Sequence, residues 1–336
     1  MTTSFLDSER LHSVVFIRTD RLGETLLNLP AMAALRAALP HARLTVLVHE
    51  DLVPIFSAIP WIDQAIAYHP GPRSRWWIRA LRLQRKLRSL QSDLAVVSNP
   101  SKELHLAVWL ARIPWRVGYR RKWGGLLTHR LEDRKALGER HEVEYNLDLV
   151  RTLGLPTAAT VSKLPQWSRE HAEVIAKLQE QGVGAAEPFV AVHPWTSNPL
   201  KQWPAERYRL LIQRLAQELT LRVVIIGGPA ERAGLPDVLP VKLPVIDLVG
   251  RLSLRQLVEL LRCARALVSN DSGPVHVAAA AGTRTIVLFG TSDPASGPKR
   301  WGPWGEGHTV ISKPSMDAIT VDDVTHALRR LLQRLR

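Results

Sequence analysis

The sequence predicts an α/β protein of two domains, each a parallel sheet covered by helices on both faces. Three observations predict it. Short, wholly apolar runs recur along the chain, each separated from the next by enough residues for a helix, which is the pattern of strands buried on both sides. The 336 residues exceed what one core ordinarily organises, at roughly 100–200 residues per domain. The alternation also pauses once, between Leu155 and Pro188, where Pro156, Pro165, Gly182, Gly184 and Pro188 flank a single polar helical stretch. A domain over 1–165, a linker over 166–188, a second domain over 189–320 and a terminal helix over 321–336 are therefore expected.

In chain order, Val14–Ile17 is the first strand, and Glu24 to Leu39 has helical periodicity closed by Pro40. Leu44–Val48 completes a strand–helix–strand unit. Leu94–Val97, Phe189–Val192, Val223–Ile226, Ala266–Val268 and Thr285–Phe289 are the further strand candidates. Val321 to Arg336 reads as an amphipathic helix whose host domain the pattern does not specify.

Composition narrows the function classes. With 46% hydrophobic and 23% charged residues, disordered, collagen-like and coiled-coil chains are excluded. The single cysteine, Cys263, excludes an internal disulfide framework and a Cys-rich zinc site. Met1 to Ser13 carries Asp7, Glu9 and Arg10 without an apolar core, so no secretory signal is expected there. No uncharged apolar stretch approaches the ~20 residues of a spanning helix. A soluble cytoplasmic protein is expected, and its net charge of +14, from 45 Lys and Arg against 31 Asp and Glu, attracts an anionic partner. Nucleic acid, an acidic membrane face and a phosphorylated small molecule all satisfy that charge.

Ligands of open parallel sheets bind at the carboxyl ends of strands, and two facing domains of this kind define a shared cleft there. Four segments at such ends carry chemistry. The first, Arg18-Thr19-Asp20-Arg21-Leu22-Gly23-Glu24-Thr25, has a glycine for close backbone approach and a carboxylate, Glu24, at a helix start. Acids also occupy first turns simply to offset the macrodipole. The second, His193 to Pro204, offers the hydroxyls of Thr196 and Ser197 and the ammonium of Lys201 to phosphate oxygens; a polar surface loop has the same composition.

The third runs from Val223 into Gly227, Gly228 and Glu231, where glycines admit a nucleotide and the acid accepts from ribose hydroxyls. It lacks the GxGxxG spacing of dinucleotide-binding dehydrogenases, and a purely structural Gly-Gly turn is the alternative. The fourth is Ser269-Asn270-Asp271-Ser272-Gly273-Pro274-Val275-His276, leading into a small-residue helix. Helix capping accounts for Asn, Asp and Ser there, but not for His276, four residues after Ser272. Free N–H groups at Ser272 and Gly273 suit an anion.

Together these segments resemble glycosyltransferase family 9, the ADP-heptose:lipopolysaccharide heptosyltransferases, over nearly the whole chain. Arg18–Pro30 looks like that family's N-terminal signature, Lys201-Gln202-Trp203-Pro204 with Glu206 its Lys-x-Trp-Pro element, and Asp271–His276 with Ala278–Gly282 and Phe289–Pro294 its C-terminal signature. The resemblance implies the GT-B fold, with two Rossmann-like domains facing a central cleft. It also implies ADP-heptose, or a related nucleotide sugar, in the second domain. Thr196, Ser197 and Lys201 would hold the diphosphate, Glu231 the ribose, Asp271, Ser272, Gly273 and His276 the sugar and phosphate, and Leu252 would lie near adenine. The first domain would take the acceptor, a Kdo or heptose of the lipopolysaccharide inner core, with Arg18, Asp20, Arg21, Gly23 and Arg120 as contacts.

Inverting transfer is implied in turn, with no cofactor and no metal. Glu24 is the expected base, standing where the family typically has Asp, and Asp20 is the reserve. Lys201 is expected to stabilise the departing diphosphate.

The stretch Pro72 to Leu90 holds seven basic residues and no acids, interleaved with Trp76, Trp77 and several leucines. Arg116, Arg120, Arg121 and Lys122 with Trp115 and Trp123 form a second group. Peripheral attachment to the anionic inner face of the cytoplasmic membrane is expected from the first and contact with acidic sugars from the second. Solvated basic faces are the alternative. The charge is uneven, with 24 basic against 15 acidic residues in 1–165 and 21 against 16 beyond. A transferase with another donor or acceptor, an inactive sugar-nucleotide binder and a basic nucleic-acid-binding protein are the other readings. No nucleic-acid-binding module is recognisable, and no nucleic-acid partner is expected.

Overall fold

The computed structural model describes residues 10–72, 75–158, 161–184, 187–219, 221–240 and 243–334. Its chain divides into two compact units after Ser162. The first contains β1 (Ser13–Arg18), β2 (Arg43–His49), β3 (Gln64–Tyr68), β4 (Leu94–Val97), β5 (Trp115–Tyr119) and β6 (His129–Leu131). They form one parallel sheet in the order β3-β2-β1-β4-β5-β6.

The second contains β7 (Phe189–His193), β8 (Arg222–Ile225), β9 (Ile246–Asp247), β10 (Ala266–Asn270), β11 (Thr285–Gly290) and β12 (Thr309–Lys313). Their order is β12-β11-β10-β7-β8-β9, again all parallel. Counted from the first strand of each unit, both sheets have the Rossmann order 3-2-1-4-5-6. Each therefore has a switch point, between β1 and β4 and between β7 and β10, where helices leave to opposite faces and open a crevice at the strand ends.

All seven expected strands are present, and they are the central ones. Five others, β3, β5, β6, β9 and β12, lie toward the sheet edges, where exposure mixes polar residues into the pattern. In β12 no residue is fully buried, and β6 reads His-Arg-Leu. The continuous helix expected over Glu24 to Leu39 is instead two, Leu22–Leu26 and Leu29–Ala38. Pro30 sits in the first turn of the second helix, where its missing N–H costs nothing, so the chain restarts at Asn28.

The stretch 166–188 carries the helix Ser168–Glu180, which packs on the helix Leu254–Cys263 inside the second unit. Residues 185 and 186 lie outside the described residues. The C-terminal helix, Val321–Gln333, belongs to the second unit as well. It sets Val324, Leu328 and Leu331 into the core beside Leu211, Ile212 and Leu215. Leu335 and Arg336, at the end of the expected helix, are outside the described residues, as are Met1 to Glu9 of the N-terminal stretch.

Candidate active site

Both switch points are lined by the polar residues that end their strands. In the second unit β7 ends in His193, and the loop beyond it turns through Pro199–Lys201. Trp203 anchors that loop. Its ring is fully buried, its indole N–H donates to the Ile319 carbonyl at 2.9 Å, and it meets Tyr208 edge-on at 4.9 Å. The Trp203 backbone N–H donates to Asn270 Oδ1 at 3.1 Å, and Asn270 Nδ2 donates to the Pro194 carbonyl at 2.9 Å. The end of β10 thus clamps both ends of the loop, which sets Lys201 against Asp271 in an ion pair.

Asp271 is buried. Burial pushes its carboxyl pKa up by more than the Lys201 ammonium pulls it down. The pair stands at the N-terminus of the helix Gly273–Ala281, whose residues from Val275 onward are all buried, His276 in its first turn among them. Ser272 is the N-cap, yet its side chain makes no capping bond. Its hydroxyl lies 2.9 Å from Ser269 Oγ and 3.2 Å from His193 Nδ1. His193 Nδ1 is also 3.2 Å from Ser269 Oγ, and Nε2 is 3.3 Å from Glu231 Oε2.

Glu231 closes the far side. Its carboxylate accepts from the Gly228 N–H at 2.7 Å. Burial raises its pKa, but hydrogen bonds from His193 and Gly228 outweigh burial and hold it below the ordinary range. The two glycines differ in use. A Cβ on Gly227 would lie 2.8 Å from the Trp195 ring and 2.9 Å from Glu231, so internal packing already fills the space expected to admit a nucleotide. On Gly228 the nearest atom would be 3.8 Å away, and that face is open. The loop that carries Leu252 is tied alongside by the Gly250 N–H, which donates to the Gly227 carbonyl at 2.9 Å. Thr196 is half-buried and Ser197 exposed on the loop before Lys201.

In the first unit, Glu24 lies half-buried on the short helix that follows β1. Burial raises its pKa and the Asp20 carboxylate raises it further, against the Glu24 backbone N–H, Arg18 and Arg21. Gly23 is buried beside it, while Arg21 and Arg120 are exposed.

Arg18 is placed differently from the expected acceptor contact. Its guanidinium is buried and meets Asp20 at 2.6 Å, Ser98 Oγ at 3.2 Å and Glu142 at 3.7 Å. Glu142 also takes the Lys135 ammonium at 2.5 Å, and Lys135 reaches Asn146 Oδ1 at 3.3 Å. Asn28 accepts from Ser98 at 2.6 Å and donates to the Glu24 carbonyl at 2.7 Å. Through these contacts the buried charges brace the turn that carries Glu24. Desolvated groups so paired are costly to disturb.

Two arginines expected on a sugar-binding face are also committed elsewhere. Arg116 donates to the carbonyls of Leu126, Ile113 and Pro114, and Arg121 pairs with Asp133 at 2.8 Å.

His193, Ser269 and Asn270 lie in the second and fourth segments but are given no site role by sequence, and Ser98, Lys135 and Glu142 lie outside all four. The available signal was a polar residue at the end of an apolar strand, which His193, Ser269, Asn270 and Ser98 share; Lys135 and Glu142 offered none.

On the basic helix Trp76–Ser89, Ala80, Leu83 and Leu87 face the core, whereas Trp77 (51%), Leu81 (44%), Arg82, Arg85, Lys86 and Arg88 are exposed. Trp123, 47% exposed, meets Trp76 edge-on at 5.3 Å. Arg79 is spent on Glu103, and Arg73 lies outside the described residues. Among the described residues no helix is long and apolar enough to cross a membrane.

The two units, each a parallel sheet in Rossmann order with a crevice at its strand ends, have the GT-B architecture. The model of glycosyltransferase family 9 (heptosyltransferase) matches residues 80–327, and the chain belongs to that family. It is 26% identical over 297 residues to lipopolysaccharide heptosyltransferase 3 of Escherichia coli K12, covering 84% of this chain and 83% of that protein. Among solved structures it superposes on E. coli ADP-heptose lipopolysaccharide heptosyltransferase II with a TM-score of 0.78 and 25% identity, over 96% of this chain and 99% of that one. A family 9 glycosyltransferase from Veillonella parvula gives a TM-score of 0.86 at 20% identity, covering 96% and 97%.

Proposed function

We propose that the protein transfers a heptose from ADP-heptose to a Kdo or heptose of the lipopolysaccharide inner core, with inversion and without a metal. The observation that carries the reading is the Lys201–Asp271 pair at the N-terminus of a buried helix, at the switch point of the second sheet. An ammonium and helix N–H groups suit a diphosphate. The family relatives named for heptose transfer support the sugar.

The first unit supplies the base. As the acceptor oxygen bonds to the anomeric carbon, its proton passes to the Glu24 carboxylate. The bond from that carbon to the diphosphate oxygen breaks, and its electron pair leaves with ADP. Lys201 then neutralises charge growing on the leaving oxygen. A carboxylate whose pKa is raised is a stronger base than an ordinary glutamate.

The decisive experiment combines Glu24→Gln with a donor screen, reading transfer onto defined inner-core acceptors by mass spectrometry and ADP binding by calorimetry. Turnover with ADP-heptose that is lost in Glu24→Gln while ADP still binds is the expected result. Transfer from a different nucleotide sugar, or near-normal turnover of the variant, would overturn the reading.

Attachment to an anionic membrane face belongs to the same proposal. Trp77 and Leu81 between Arg82, Arg85 and Arg88 have the composition of an interfacial helix.

A further inference from the structure

His193 and Ser269 are register partners on adjacent parallel strands, β7 and β10, so both side chains rise from the same face at the switch point. His193 is 3% exposed and Ser269 fully buried. Ser272 is partly exposed and stands between them and the solvent-facing helix start. The three make a closed triangle, with sides of 2.9, 3.2 and 3.2 Å.

Counting protons shows what the triangle does. Glu231 Oε2 beside Nε2 calls for a donor there, and in the neutral tautomer that carries its proton on Nε2, Nδ1 is an acceptor. One serine hydroxyl satisfies Nδ1 while the other donates within the pair. Three arrangements exist: Ser272 on Nδ1 with Ser269 on Ser272, Ser269 on Nδ1 with the Ser272 proton pointing elsewhere, or Ser269 on Nδ1 with Ser272 on Ser269. A buried acceptor left empty costs free energy, and in the second arrangement Nδ1 is filled without Ser272.

We propose that Ser269 and His193 form a proton-switching support that frees the Ser272 hydroxyl to donate to a diphosphate oxygen of the bound nucleotide. Ser269 is a positioning residue and touches no ligand. The inference rests on the reading of the Gly273–Ala281 N-terminus as the diphosphate site. In the absence of ligand the Ser272 hydroxyl rests in the triangle, which accounts for its failure to cap the helix. On binding, Ser269 takes over Nδ1, and no atom inside loses its partner. His193 thereby links the Glu231 side of the site to the phosphate side.

The test is a double-mutant cycle on ADP affinity with adenosine as the control ligand, both measured by calorimetry or NMR titration on the full chain. In Ser269→Ala, Ser272 must remain on Nδ1, so ADP binding should weaken about tenfold, the loss of one charge-assisted hydrogen bond. Ser272→Ala should weaken it by a similar factor, and the double variant by no more than either alone. Adenosine affinity and the thermal midpoint of Ser269→Ala should stay near wild type. Unchanged ADP affinity in Ser269→Ala alongside a loss in Ser272→Ala would overturn the support role alone, as would additive losses or an equal loss of adenosine. Wild-type protein that binds no ADP, or an ADP affinity indifferent to both Ser272→Ala and Lys201→Ala, would overturn the underlying diphosphate site.

Discussion

Lys201 and Asp271, 70 residues apart in sequence, form an ion pair in which the carboxylate is buried and the ammonium is 29% exposed. The asymmetry sets the sign of a stability effect. Asp271 has its folded pKa raised, so its contribution to stability is full below the unfolded value and lost as pH rises through the folded one. At neutral pH the ionised group is a net cost to the fold. Asp271→Asn should raise the thermal midpoint at pH 7, and the gain should shrink toward pH 4. Transfer should fall in the same variant, because Lys201 loses the anchor that aims it.

Acid inactivation should follow Glu24. Burial first, then Asp20, raises its pKa, so kcat should decline with falling pH while still above the ordinary glutamate range. Asp20→Asn removes the repulsion and releases Arg18, and both changes favour the ionised form. The acid limb of the kcat profile should therefore move to lower pH. An unmoved limb would assign it to another group.

Neighbouring glycines should respond differently. Gly227→Ala drives a methyl group into Trp195 and Glu231 and should cost about 1–3 kcal/mol in chemical denaturation. Gly228→Ala meets nothing closer than 3.8 Å, so stability should hold within about 0.5 kcal/mol. Weakened ADP binding in that second variant marks close approach of the nucleotide there.

Trp203→Ala removes a fully buried indole and its hydrogen bond to Ile319. A loss of about 3–5 kcal/mol is expected, with ADP affinity falling as the Lys201 loop loosens. The readout is equilibrium unfolding beside calorimetry.

For the membrane, co-sedimentation with vesicles containing anionic lipid should fall when Trp77 and Leu81 are both replaced by Ser. Each withdrawn apolar side chain is worth about 1–3 kcal/mol. Equal binding to neutral and anionic vesicles at low salt would count against attachment through this face.

What could be read in advance follows burial. Val14–Ile17 and Val223–Val224 announce themselves because strands covered on both faces admit only apolar residues. Gln64–Tyr68 and Thr309–Lys313 do not, since an edge strand shares its faces with water. Among the candidate residues, Glu24, Lys201 and Asp271 stood out as polar residues in the segments that follow strands β1, β7 and β10. Their supports did not, because Arg18 finds Ser98 80 residues away and His193 finds Ser269 76 away. Such pairings arise from strand order, which no local pattern encodes. Arg18 shows the cost: a cation in a functional-looking motif is read as a ligand contact when it serves to hold its neighbours.

The ion pairs of Arg18 and Lys135 with Glu142 lie within residues 10–162, and the triangle of His193, Ser269 and Ser272 lies within 163–334. Each crevice is therefore organised by its own polypeptide half. Evolution, or a protein engineer, has a natural crossover point at Ser162–Lys163. If the proposed function holds, with the nucleotide on the C-terminal half and the acceptor on the N-terminal half, chimeras joined there should keep the nucleotide preference of the parent that supplied the C-terminal half.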